Sequence, residues 1–277
     1  RANGGMDLVL DFAFPLPVEV ICSMLGIDGG ERERLQEWSR EILTPLEPTA
    51  TPEMIAAGNR AVSEFTAFLR DLLAEKRRNM SRGVRVGDIL EDLIESQESE
   101  DDPLTEDELV QNCILLLNGG HETTTNLVGN GMKAMFDNPD QLQKLRDDPS
   151  LLAGTIEEML RFDSPLQIGN RGIAEPFEVG GITLEPGTQL LTSIGGANHD
   201  PDAFDNPEVF DITRTPNKHL AFAAGIHACI GAPLARMEGT IAIGKLVAAF
   251  PDMQRTGPIS RGGRARFRGL TSMPVSV

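Results

Sequence analysis

The stretch LTEDELVQNCILLLNGGHETTTNLVGNGMKAMF, residues 104–136, limits what this chain can fold into more than any other. Thr105 and Glu108 stand three residues apart at its start, the spacing of a capping box, in which each side chain takes a backbone N–H that a helix start leaves unpaired. The pattern predicts one helix running to Phe136, about 48 Å long at 1.5 Å per residue. A helix of that length crosses the whole molecule, and the rest of the chain has to pack around it. Its middle departs from helix-forming composition: GGHETTT puts Gly119 and Gly120 in the interior, where each costs about 1 kcal/mol relative to alanine. Small residues there open a groove in which a flat ligand can lie. Packing against a second helix explains the glycines but not the Glu-Thr-Thr run. The Thr123 hydroxyl either bonds back to the Gly119 carbonyl and bends the helix or faces a bound oxygen. Glu122 beside it is placed to carry protons inward.

The first two-thirds of the chain read mainly as helix. DLVLDFAFPLPVEVICSMLGI predicts a helix stopping at Gly26, and EFTAFLRDLLAEKRR carries Phe65, Phe68, Leu69 and Leu72 on one stripe. A polar loop is expected between Asn79 and Asp88, and an acidic, solvated loop from Ser96 in SQESEDDP. LLAGTIEEMLRFD predicts a further helix, ended by Pro165. Beyond it, FEVGGITLEPGTQLLTSI reads as hairpins at Gly-Gly and Pro-Gly. NHDPDAFDNPEVFDITRTPNKHL has no period, which over that length predicts a packed, functional loop. A last helix starts near Gly231, with Pro233 in its first turn, and runs to about Phe250, followed by short strands. The expected class is mainly α with small β-sheets (α+β), a single domain over residues 1–277, with no internal repeat.

A net charge of −17 repels the phosphates of nucleic acid and anionic membrane surfaces, and neither is expected as a partner. No apolar run is long enough to span a bilayer. Three cysteines, Cys22, Cys113 and Cys229, are too few and too scattered for a disulfide framework or a zinc site, and point to a reducing, cytoplasmic setting. The first residue is Arg1 rather than Met, from which the chain is expected to begin inside a longer protein.

Cys229 lies in FAAGIHACIGAPLAR, just before the last helix. Unpaired N–H groups and the helix dipole favour a thiolate there. Gly225 and Gly231 let the backbone approach something flat, and Phe222 supplies an apolar face. A thiolate in that setting suits ligation of a haem iron, and Phe222, Gly225, His227, Cys229 and Gly231 fill every fixed position of the haem-thiolate pattern F-x-x-G-x-H-x-C-x-G. Two other readings stay open. A lone cysteine is often a small buried hydrophobe, as expected of Cys22 and Cys113. A Cys-His hydrolase would need a base from a distant segment and an oxyanion site, whereas His227 is only two residues away. Glu158 and Arg161 face one side of a helix at i, i+3, a weak signal alone; Glu157 is expected to be solvated.

Together these stretches resemble the cytochrome P-450 family of haem-thiolate monooxygenases, bacterial soluble type. GGHETT resembles its oxygen-activation motif, Glu158-x-x-Arg161 its structural pair and the Cys229 loop its haem-ligand loop, in the family's order. The resemblance runs from DLVLDFAFPLP to RGLTSMPV. It implies a P-450-like fold lacking the N-terminal part, with haem (iron protoporphyrin IX) as cofactor and Cys229 as the iron's thiolate ligand. Gly120, Phe222, Gly225 and Gly231 would line the cofactor, while His227 and Arg171 would contact its propionates. Thr123 and Glu122 would deliver protons to bound dioxygen. Glu158, Arg161 and Arg214 would form a buried structural triad, and Leu115, Asn118, Gln167 and Ile168 would face substrate. His121, His199 and His219 are left as structural or surface residues. The implied reaction is hydroxylation or epoxidation of a small organic substrate with dioxygen. Its electrons would come from a ferredoxin or flavodoxin system docking near Lys218 and Arg236. The alternative is a haem-free or silent family member that acts as partner or activator of another enzyme; the presence of Cys229, Thr123 and Glu122 argues against it.

Overall fold

The structure, a computed structural model, describes residues 4–27, 29–99 and 103–277. It is mainly helical with small antiparallel sheets, and the chain divides into two compact units, Leu10–Thr125 and a second made of Arg1–Val9 with Asn126–Val277.

The Leu10–Thr125 unit contains α1 (Pro15–Met24), α2 (Arg32–Leu43), α3 (Pro52–Ser81), α4 (Ile89–Ser99) and the first part of α5 (Glu106–Asp137). The predicted stripe of α3 faces its core: Phe65 and Leu69 are fully buried, with Phe68 and Leu72 packed partly buried against them. Trp38 of α2 stacks on Phe65 at 5.2 Å between ring centroids. Leu109, Val110, Cys113, Ile114 and Leu117 give the same core its α5 wall. The capping box forms as expected, with the Thr105 N–H donating to Glu108 at 2.8 Å and the Glu108 N–H to Thr105 at 3.2 Å. Burial of each such aliphatic or aromatic side chain contributes roughly 1.5–3 kcal/mol.

Three boundaries differ from the sequence expectation. The first predicted helix is broken into β1 (Gly5–Asp7), a wide turn at Val9–Ala13 and α1, which starts at Pro15. Proline suits a first turn but clashes with the carbonyl four residues earlier, so a helix begins there and does not run through. The expected loop from Asn79 begins only after Ser81, because α3 continues to that residue. The acidic stretch from Ser96 is helical up to Ser99, the last residue of α4, and residues 100–102 lie outside those described.

In the second unit the later part of α5 joins α6 (Pro139–Asp147), α7 (Leu152–Phe162), the short α8 (Ile194–Ala197) and α9 (Ala232–Ala249). Gly131 lets α5 approach α7 closely: a Cβ there would run into the Met159 side chain. Each sheet among the described residues has two strands. β3 (Phe177–Val179) and β4 (Ile182–Leu184) form the hairpin predicted at Gly-Gly. The second predicted hairpin does not form. After Pro-Gly, β5 (Gln189–Ser193) pairs instead with β2 (Ile168–Gly172), in a five-residue antiparallel ladder from Ile168↔Ser193 to Gly172↔Gln189. That ladder satisfies more backbone groups than pairing with three-residue β4 allows. β6 (Ser260–Arg261) pairs with β7 (Leu270–Ser272), and β8 (Pro274–Ser276) with β1. Among the described residues no helix is long and apolar enough to cross a membrane.

Candidate active site

The Cys229 loop is a narrow backbone structure. The Cys229 N–H donates to the Phe222 carbonyl at 2.9 Å and the Ala228 N–H to that of Gly225 at 3.0 Å. Gly225 sits at φ +69°, a left-handed conformation that glycine adopts without strain. α9 then starts at Ala232 with Pro233 in its first turn. The thiol of Cys229 is exposed, while Cys22 and Cys113 are buried; burial pushes the Cys113 thiol up to about 11. Ile226 and Ile230 on either side of Cys229 are 97% and 90% exposed. His227 is exposed too. A Cβ on Gly231 would meet the Cys229 sulfur at 3.8 Å, an ordinary contact. Phe222 is not a bare apolar face: the Arg236 guanidinium covers its ring at 4.5 Å, and His219 lies 6.0 Å from it.

On α5 the Thr123 hydroxyl donates to the Gly119 carbonyl at 2.6 Å, the first of its two options. The two glycines have different surroundings. A Cβ on Gly119 would meet nothing within 4 Å, whereas one on Gly120 would lie 3.3 Å from Ile21 of α1. The open groove position is therefore Gly119, and Gly120, expected to line a cofactor, allows close packing on α1. Glu122 is half-buried. Leu115 is 66% exposed, but Asn118 is buried. The Asn118 amide donates to the Ile114 carbonyl at 2.7 Å, and its own side-chain oxygen is buried without a hydrogen-bond partner. His121 is buried between Ser39, 3.2 Å away, and the edge of Phe14. Burial pushes its pKa down to about 4, so it is a neutral core residue near neutral pH.

Glu158 and Arg161 of α7 are fully buried, and Arg161 forks onto the carboxylate at 2.8 and 2.9 Å. Arg214 reaches the same carboxylate at 3.2 Å, as do Asn217 at 3.0 Å and the Asp211 N–H at 2.9 Å. Arg161 spends its other donors on the carbonyls of Asn198, Pro207 and Val209. This pins the aperiodic residues 198–217 to α7. A buried carboxylate is tolerable only with such full pairing. Asn217 and the Asp211 N–H escaped the sequence reading, since an amide and a main-chain group carry no pattern.

Glu157 is not solvated as expected. It is 28% exposed and takes a two-point contact from Arg236 at 2.7 and 2.9 Å and one from His219 at 3.0 Å. Burial alone would raise its pKa; the hydrogen bonds from His219 and Arg236 outweigh it and bring the carboxyl down to about 2. The available signal was the Glu-Glu pair itself: successive helical residues point about 100° apart, so the second acid needs its own partners.

Arg171 is exposed on β2, with one nitrogen on the Asn170 carbonyl at 2.7 Å. Gln167 turns its amide to the Ser164 carbonyl at 2.7 Å, while its own carbonyl accepts the Ile194 N–H at 2.9 Å. Ile168, half-buried, opens the ladder opposite Ser193.

A sequence model of the cytochrome P450 family matches residues 42–253. This chain is a cytochrome P450. Curated P450 relatives include the biotin biosynthesis cytochrome P450 of Bacillus subtilis (strain 168), 36% identical over 98% of this chain and 67% of that protein. Cytochrome P450 107B1 of Saccharopolyspora erythraea is 40% identical over 98% of this chain and 64% of the relative. The crystal structure of P450BioI in complex with hexadec-9Z-enoic acid ligated acyl carrier protein superposes with a TM-score of 0.93, at 36% identity, over 99% of this chain and 69% of that one. The chain thus spans about two-thirds of the length of the curated P450s it matches. P450s bind haem, and the residues around Cys229 fit that group. Among the described residues no cluster of three His, Cys, Asp or Glu side chains could hold a bare metal ion. Beside the exposed Cys229 thiol, Ile226 and Ile230 offer the apolar surface that a haem macrocycle would cover.

Proposed function

We propose that this P450 is a haem-thiolate monooxygenase that uses dioxygen to hydroxylate or epoxidise a small organic substrate. The observation that carries the reading is the exposed Cys229 thiol at the start of α9, fixed by its N–H bond to Phe222 and flanked by Ile226 and Ile230. Cys229 is the residue that would ligate the iron. His227 and Arg171, both exposed cationic or hydrogen-bonding side chains, would bind the propionates. Bound haem would supply an iron that activates dioxygen, with O–O cleavage favoured by electron donation from the thiolate.

The remaining roles belong to α5 and β2. Thr123 holds its hydroxyl proton at Oγ1, 2.6 Å from the Gly119 carbonyl, and with Glu122 it would be the residue that holds and supplies protons for dioxygen chemistry. Leu115, with its exposed side chain, would meet substrate directly. Asn118 has a spare acceptor for a hydroxyl or amide of the substrate. Gln167, just before β2, and Ile168, its first residue, would shape the substrate side. The electron donor would be a ferredoxin or flavodoxin, with the cytoplasm as setting. Lys218 is exposed and suits an acidic donor better than Arg236, whose charge is offset by Glu157.

The test is dioxygen uptake by the haem-loaded chain, supplied with electrons from ferredoxin and its reductase, beside Thr123→Ala and Cys229→Ala. The reading expects uptake that Cys229→Ala abolishes and that Thr123→Ala diverts to hydrogen peroxide. Haem uptake with no dioxygen consumption from any donor would contradict it and favour the silent-partner reading.

A further inference from the structure

Glu157 receives contacts from both sides of the Cys229 loop. On the upstream side its carboxylate lies 3.0 Å from His219 Nε2. The Ala221 N–H donates to His219 Nδ1 at 3.2 Å, which leaves the ring proton on Nε2, facing Glu157. On the downstream side Arg236 of α9 donates its Nε and Nη2 to the two carboxylate oxygens at 2.7 and 2.9 Å. The same guanidinium covers the Phe222 ring at 4.5 Å, and the Phe222 carbonyl accepts the Cys229 N–H at 2.9 Å. The His219 side chain is only 3% exposed, so this is not a solvated surface pair of the kind that contributes little. Arg236 thus sits on the ring of the residue whose backbone holds the Cys229 amide, seven residues after Cys229 in the chain.

We infer that Glu157 is a positioning residue for Cys229. Through His219 and Arg236 it closes the segment on both sides of the thiol, and it offsets the Arg236 charge so that the thiolate keeps its electron-donating strength toward iron. The inference rests on the haem-thiolate reading above. It differs from simple stabilisation in one respect. Removing the acid leaves a positive charge uncompensated near Cys229, and removing Arg236 leaves a negative one. The two changes then move the haem reduction potential in opposite directions, whereas a loosened fold would move both the same way.

The experiment compares the wild-type chain with Glu157→Gln, Arg236→Gln, Arg236→Lys and Cys229→Ala. In the haem-free chain, amide hydrogen exchange at Cys229 is expected to be at least about tenfold faster in Glu157→Gln, a loss of roughly 1.4 kcal/mol of protection, with exchange in Leu10–Thr125 unchanged. In the haem-loaded chain, Glu157→Gln is expected to raise the reduction potential and Arg236→Gln to lower it. Arg236→Lys, which keeps the charge, should stay near wild type. Unchanged exchange at Cys229, or potentials that shift together or not at all, would overturn the positioning role. If Cys229→Ala kept the wild-type haem spectrum, the ligand reading would fail instead, and haem-free exchange would still decide whether Glu157 orders the loop.

Discussion

Residues 198–231 and the helices of Leu10–Thr125 are both held in place, but by different forces. The helical unit is closed by apolar side chains: Phe65, Leu69 and Leu73 are fully buried in one continuous cluster. Residues 198–231 contain little regular structure, and the same part of the molecule carries the proposed iron ligand. Their order comes from two adjacent carboxylates on α7. Glu158 gathers Arg161, Arg214, Asn217 and a backbone N–H, and Glu157 gathers His219 and Arg236. Apolar packing is non-directional and tolerates small shifts. A forked charge pair fixes distance and plane, which is what a loop presenting a single ligand atom requires.

The contrast can be broken most severely at Arg161. Arg161→Ala leaves the buried Glu158 carboxylate without its main partner and is expected to cost about 4 kcal/mol, within the range for a broken buried pair. Its signature is fast hydrogen exchange across residues 198–217. Retained protection there would show that the segment is held by something else. In the helical unit, Leu69→Ala is expected to cost about 3 kcal/mol through the cavity it leaves. Denaturation followed by Trp38 fluorescence reads this directly, since Trp38 is the chain's one tryptophan and stacks on Phe65.

Acid separates the two regions by pH. The buried His121 imidazole has its pKa pushed down to about 4, against about 6.5 in an unfolded chain. The unfolded chain takes up this proton first, so the stability it contributes is full above about pH 6.5 and is lost as pH falls toward about 4. Glu157 drops from 4.5 to about 2 on folding, so its contribution is full above about pH 4.5 and is lost as pH falls toward about 2. Trp38 fluorescence should therefore weaken at higher pH than protection of the Cys229 amide does; a single common transition would contradict separate devices. The smallest effect is expected from Lys218→Glu, which should slow electron transfer from ferredoxin a few-fold at low salt and leave stability unchanged. A rate independent of both substitution and salt would remove Lys218 from the docking surface.

The same contrast explains what the sequence revealed. Apolar period and capping residues are local, so α3, α5 and α9 were readable from Phe65, Thr105 and Pro233. The Cys229 pattern is compact and was readable for the same reason, as was Glu158-x-x-Arg161. The partners of Glu157 lie far along the chain, at positions 219 and 236, and nothing periodic links them to it. The pairing of β5 with β2 rather than β4 was hidden likewise, because a strand's choice of partner is a long-range decision. Gly119 and Gly120 looked equivalent in sequence; only the position of Ile21 distinguishes them.

The central claim is that Cys229 offers a thiolate to haem iron. The most direct measurement is the absorption spectrum of the haem-loaded chain, reduced and exposed to carbon monoxide, beside Cys229→Ala. The account predicts a strongly red-shifted Soret band in the wild-type chain that is lost in Cys229→Ala. The same spectrum in both proteins, or haem bound without that band, would contradict it.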